Sequence, residues 1–308
     1  FEGEVGPHGG GLTGAVSDWV NDHIRTVLLG PSLVALFLVF IYPAVMLLWL
    51  SLQNTRGLGE TFEPAYNYGR IFSDPTFWNA VEKTLIYSTG SLVLSVGAGL
   101  GIALALNKVL SSRVRNTYST LILISWAVPL SIVGVTWRWM SNGQLGVVNK
   151  LLIDLGILQS SYSWLGNSLS AMVVVILADS WSRIPFAAVV LLAGLQSIPN
   201  DQFEAARVDG ASIIKTYWRI IIPQLKSASV SAAVVLMIFA LKIFTFLYAM
   251  FGTYRPPKGT DVLATLMVRE AFNLQNWAYA AAIATILLAM ALVVVAPYLY
   301  YQYRARAL

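Results

Sequence analysis

Apolar residues gather into six blocks, each about as long as a bilayer is thick, and that pattern leaves few folds open. The blocks run over 28–52, 84–106, 118–140, 169–196, 228–252 and 277–303. A helix needs about 20 residues to cross the hydrocarbon layer. Within that layer every backbone N–H and C=O must be satisfied inside the protein, so an isolated apolar block crosses as a helix. Charge is too scarce for a water-facing surface: 11% of the 308 residues are charged and 57% are hydrophobic, against roughly 25% charged in a soluble domain. The expected fold is all-α and integral to the membrane. A Gly-rich N-terminal tail, 1–27, precedes a six-helix transmembrane domain, 28–308.

Several function classes drop out. There is no cysteine, and both histidines, His8 and His23, lie near the N-terminus. That removes thiolate and His-rich metal sites and a membrane-embedded histidine base. A net charge of +5 is small for this length and reads as loop asymmetry rather than as a nucleic-acid footprint. No G-x-x-x-x-G-K-[ST], H-E-x-x-H or G-x-S-x-G pattern occurs, so no residues support an enzyme. The start of the chain lacks the charged region and early apolar core of a signal peptide.

Basic residues set an expected orientation. The short loop at 107–117 carries Lys108, Arg113 and Arg115, and the stretch 197–226 carries Arg207, Lys215, Arg219 and Lys226. By the positive-inside rule these loops and both termini face the cytoplasm. The stretch 197–226 is also the longest polar segment in the chain. Pro199 stops the preceding span, and Asn200 is placed to cap a short helix over 201–208. Asp201 in its first turn suits the helix dipole. Gly210 permits a turn that a β-carbon would resist, and 212–222 resumes as a second helix before Pro223. This reads as a cytoplasmic elbow with small, partly charged residues, either lying on the membrane face or docking a partner. In the second span, Gly97, Gly99 and Gly101 allow close helix approach, or are merely small. Aromatics in the loop 53–83 either meet an outer partner or pack locally.

On these residues the chain resembles the membrane subunits of binding-protein-dependent ABC importers. Glu204-Ala205-Ala206, Gly210 four residues on, and Ile222-Pro223 match their EAA signature, and AGLQSIPNDQFEAARVDGAS around it looks like the maltose-type carbohydrate permeases. The likeness extends to PSLVALFLVFIYPAVMLLWLSLQN, NYGRIFSDPTFWNAVEKTL, the stretch 129–139, GVVNKLLIDLG, and Trp181 with Pro185-Phe186. The first-span text is the MalF-like variety. The resemblance implies a type I importer permease fold in a prokaryotic inner membrane. It implies that Asn200, Asp201, Phe203, Glu204, Ala205, Ala206, Arg207, Asp209, Gly210, Ala211 and Ser212 form a coupling helix and its exit. That helix would dock on one of two ATP-binding subunits, which carry the ATP and Mg, so this chain itself binds no cofactor. A homologous second permease, an extracytoplasmic solute-binding protein, membrane lipid and a sugar complete the implied partners. Family members often carry an F-D pair and a T-G-G-P-like run after the fifth span. Here Thr245 or Phe246 replaces the acid and Gly252-Thr253-Tyr254 the glycine run, while GTDVLATLM leans toward the α-glucoside branch. The expected cargo is therefore an oligosaccharide or α-glucoside such as maltose or trehalose, with glycerol-phosphate or another polyol derivative as rival, and a non-transporting membrane scaffold as the alternative to transport.

Within the spans, Asp179 and Arg183 are spaced for one helix face. They read either as part of a sugar site with Trp181 or as a mutually neutralised structural pair. Lys242 lines the pathway, snorkels or reaches an acid elsewhere. Thr245 and Tyr248 complete the expected pathway set.

Overall fold

The computed structural model describes residues 23–54, 61–108, 111–252, 256–257 and 259–307. The expected tail before residue 23, and Thr253 and Tyr254 of the replaced glycine run, lie outside the described residues. The chain divides into a first unit ending at Leu50 and a second from Ser51 onward. The first unit holds α1 (Ile24–Leu36), a π turn (Phe37–Ile41) and most of α2 (Tyr42–Ser51). No side chain over 28–50 is buried. A helix apolar all round is what lipid, rather than water, would cover. The π turn has a local cause. Pro43 lacks an N–H and its ring crowds the carbonyl four residues back, at Val39, inside the widened turn.

The second unit opens with a two-stranded ribbon, β1 (Gln53–Asn54) and β2 (Thr61–Phe62), paired antiparallel. Then come α3 (Pro64–Ser73) and α4 (Pro75–Asn107). The Asp74 carboxylate accepts from the Thr76 N–H at 2.8 Å, and Pro75 occupies the first helical position, so α4 starts well before the apolar block. Its 33 residues span about 50 Å, more than a bilayer needs. The third block is not one straight helix. α5 (Ser112–Ala127) and α6 (Leu130–Met140) meet at 86°. Pro129 forces Val128 out of the helical region, to ψ 126°. If each arm leaned equally, the pair would still rise about 30 Å, one bilayer core.

After α7 (Val147–Asp154), α8 (Ser168–Gln196) is the most enclosed span. The elbow follows as α9 (Asn200–Val208), α10 (Ile213–Thr216), a second π turn (Tyr217–Ile221) ahead of Pro223, and α11 (Ile222–Gln224). The fifth block is bent by 55° between the elbow's end and α12 (Lys226–Leu241). It is then interrupted at residues 242–244 before α13 (Thr245–Phe251). α14 (Leu263–Val268) and α15 (Trp277–Ala307) complete the chain. Among the described residues, four helices are long and apolar enough to cross a membrane, or up to six if each bent pair counts as one.

Among the described residues, three apolar clusters hold the second unit together. At the elbow end, Ala103 and Leu106 of α4 meet Leu191, Leu195, Ile198, Ile221 and Leu225. Midway, Tyr87, Val133, Met172, Val175, Phe246 and Met250 join α4, α6, α8 and α13. At the far end, Ile71, Phe77, Leu263, Tyr279 and Ile283 tie α3, α4, α14 and α15. Of the three small positions in α4, Gly99 is the one in contact. A β-carbon there would lie 2.7 Å from the Ala187 Cβ, whereas Gly97 and Gly101 have nothing within 4 Å.

Candidate functional site

The elbow is built on that first cluster. α9 packs Phe203 against it, and Ala206 is buried. Those residues are three apart, on one helix face. The remaining face carries Asp201, Glu204, Ala205 and Val208, all exposed, with Val208 88% exposed. Among the described residues neither Asp201 nor Glu204 forms an ion pair. α9 takes in Asn200 as its first residue, one position earlier than expected, and its side chain and that of Arg207 lie outside the described residues.

The exit from α9 is set by Gly210, with φ +66°. The Ala211 N–H donates to the Ala206 carbonyl at 2.9 Å. This six-residue closure with a left-handed residue inside it is a Schellman cap. It leaves Asp209 and Gly210 exposed and Ala211 half-buried. Ser212 begins the second arm: its hydroxyl accepts from the Lys215 N–H at 3.3 Å and its carbonyl from the Thr216 N–H at 3.0 Å. The arms are tied across the elbow by a hydrogen bond from Gln224 Nε2 to Gln202 Oε1. Phe203 and Tyr217 rest on the same cluster. The exposed face of α9 is thus a partly acidic ledge, tied to the second arm and to the cluster beneath it.

A second polar constellation lies in the spans. Arg183 Nε donates to both Asp179 carboxylate oxygens, at 2.7 and 2.8 Å. Asp179 is 0% and Arg183 5% exposed. The Ser91 hydroxyl of α4 also donates to Asp179, and Ser180 Oγ reaches the Ser91 carbonyl at 3.3 Å. Tyr87 is buried beside them in α4. The pair is thus enclosed between α4 and α8. Ser91 and Tyr87 went unnoticed in the sequence, because apolar blocks do not reveal which face of α4 meets α8.

The other pathway candidates are open. Trp181, Lys242, Thr245 and Tyr248 are all exposed. Lys242 sits in the break between α12 and α13, with its ammonium 5.6 Å from the Phe239 ring centre. The Arg183 guanidinium lies 5.4 Å from the same ring. Phe244 stacks on Tyr248 at 5.9 Å. Trp181 shares a helix with Arg183 but not its burial, so the expected set divides into an enclosed pair and an open group. No cluster of three or more metal-ligating side chains occurs among the described residues.

The geometry defines a class: a helical membrane protein with a polar, helical elbow between α8 and α12. Residues 97–307 match the family described as binding-protein-dependent transport system inner membrane component. The chain belongs to that family, the permease components of ABC importers, a transporting rather than catalytic part. It is 49% identical over 261 residues to the xylose/arabinose import permease XacH of Haloferax volcanii, covering 83% of this chain and 80% of that one. The trehalose/maltose permease MalF of Thermococcus litoralis is 34% identical, with 82% and 84% covered. In fold, the chain matches a solved bacterial alginate ABC transporter with a TM-score of 0.76 at 23% identity, over 93% of this chain and 97% of that one.

Proposed function

We propose that this chain is a translocation-pathway subunit of an ATP-driven sugar importer, and that α9 is its contact with a partner ATPase. The supporting observation is the ledge of Asp201, Glu204, Ala205 and Val208. It is held by Phe203 and Ala206 and angled by Gly210. ATP and Mg belong to the partner ATP-binding subunits. When those subunits approach each other, a docked α9 carries α8 and α12 with it. Differential binding of α9 in two ATPase states then biases the spans between two arrangements. The elbow, the 107–117 loop and both termini face the cytoplasm on the charge argument. A second permease covers the open side of Trp181, Lys242, Thr245 and Tyr248, and the sugar passes there. The interrupted backbone at 242–244 favours this placement, since irregular backbone at membrane depth occurs where protein or a water-lined cavity covers it. Asp179 and Arg183 serve as a clasp rather than as a sugar site.

For the cargo, the 49% likeness to a xylose/arabinose permease favours a pentose. The α-glucoside reading rests on GTDVLATLM and on the 34% relative. The test is ATP-dependent uptake by the assembled transporter in proteoliposomes, with labelled xylose, arabinose, maltose, trehalose and glycerol 3-phosphate in competition. Glu204→Lys should abolish uptake while membrane insertion stays normal. Uptake that survives this change would refute the coupling role of α9. No uptake of any sugar by the unaltered complex would refute the cargo class.

A further inference from the structure

We propose that α7 is an interfacial helix, lying along the membrane surface at the end opposite the elbow with Leu151 and Leu155 in the boundary between headgroups and acyl chains. The occupant of its apolar edge is lipid. The first support is rotational. Asn149 is buried, and its Nδ2 donates to the carbonyls of Gly143 at 2.9 Å and Tyr162 at 3.0 Å. Its Oδ1 accepts from Trp164 Nε1 at 2.8 Å. These bonds pin one face of α7 to its own loop and so fix which residues point away.

Two edges remain, about 100° apart by helical geometry. Leu151 and Leu155 form one, with Leu155 72% exposed. Lys150 and Asp154 form the other, as an exposed ion pair at 3.1 Å. The loop carries the apolar edge past both helix ends, through Leu145 at 91% and Ile157 at 65% exposed. No charged side chain interrupts that line. An apolar edge beside a charged one, on a short helix, is the pattern of a segment resting in the interface plane.

Lipid is chosen over a protein by continuity. The loop leaves α6 at Trp139, 77% exposed, and enters α8 at Leu169, also exposed. Both lie at span ends, where an aromatic or aliphatic side chain meets the bilayer edge. Six residues separate Met140 from Val147, so α7 begins close to the level at which α6 leaves the membrane. The same surface therefore runs from one span, along α7, into the next. Nothing in this depends on the cargo.

The chain has no cysteine, so single nitroxide labels can be placed without background. Lys150→Cys, Leu151→Cys, Asp154→Cys and Leu155→Cys are each labelled in the assembled transporter in vesicles. Spin relaxation by oxygen, which concentrates in lipid, is compared with relaxation by a water-soluble nickel chelate. Positions 151 and 155 should favour oxygen, and 150 and 154 the chelate, in alternating phase. Chelate preference at 151 and 155 would overturn the proposal and place that edge in water. Shielding from both reagents there would overturn it in favour of a protein, either the second permease or the binding protein. If a label within α7 prevents assembly, Leu145→Cys and Ile157→Cys beyond its ends carry the same expectation of oxygen preference.

Discussion

At the scale of single residues, the buried pair in α8 is the sharpest test of what polar groups do in these spans. Asp179 accepts from Arg183 and Ser91, on its own helix and on α4. Removing one member leaves a buried charge without its partner, which destabilises folded proteins by about 3–5 kcal/mol. Asp179→Ala should therefore lower the thermal midpoint of the detergent-solubilised protein markedly. Asp179→Ala with Arg183→Ala should recover much of that loss. A single variant as stable as the parent would show that the clasp holds nothing. Gly99 offers a packing counterpart. Gly99→Val should disrupt the α4–α8 contact, while Gly97→Val and Gly101→Val, with open space around them, should be tolerated. The (i, i+4) spacing of Asp179 and Arg183 was legible in the sequence. Which glycine of three makes contact was not, because spacing gives a helix face but not the neighbour opposite it.

At the scale of elements, the elbow was legible because its signals are local. A proline stop, an acidic first turn and a glycine at the exit each act within a few residues, and α9 and the left-handed Gly210 stand where those signals put them. Helix ends were less legible where polarity and helicity diverge. The apolar block from residue 84 starts nine residues inside α4, because Asp74 and Pro75 begin the helix before the hydrophobic stretch does. The 86° bend falls at Pro129 inside what reads as one apolar block, because hydrophobicity is continuous across it while Pro129 takes Val128 out of the helical region. The exposed Val208 was also missed, since it looked like one more apolar residue in an apolar chain. On the exposed face of α9 it is the apolar side chain beside two acids. Val208→Asp should weaken co-purification of the ATPase subunits and lower ATP-driven uptake. Gly210→Ala, forced to keep a conformation that costs a residue with a β-carbon roughly 1–2 kcal/mol, should reduce uptake less than Gly210→Pro.

At the scale of the whole molecule, charge bias and fold have to agree on which way round the chain sits. The spans alternate, so the elbow and α7 lie at opposite ends of the helical bundle. The proposal that the elbow end faces the cytoplasm rests on the basic residues of 107–117 and 197–226. Several of them are exposed: Arg113, Lys215 and Arg219 all reach the surface, where such residues act on orientation. Single cysteines in the cysteine-free chain decide the matter. In inside-out vesicles, a membrane-impermeant maleimide should label Lys215→Cys at once and Gln144→Cys only after permeabilisation. In right-side-out vesicles the two should exchange. The reverse pattern would put α9 on the side where no ATP is available, and the coupling role would fall with it. Equal labelling from one side at both positions would mean that α8, the span between them, does not cross, and that the chain has fewer than six spans. Each result therefore bears on span count as well as on direction, and the α7 relaxation pattern is to be read in whichever vesicle orientation exposes Gln144.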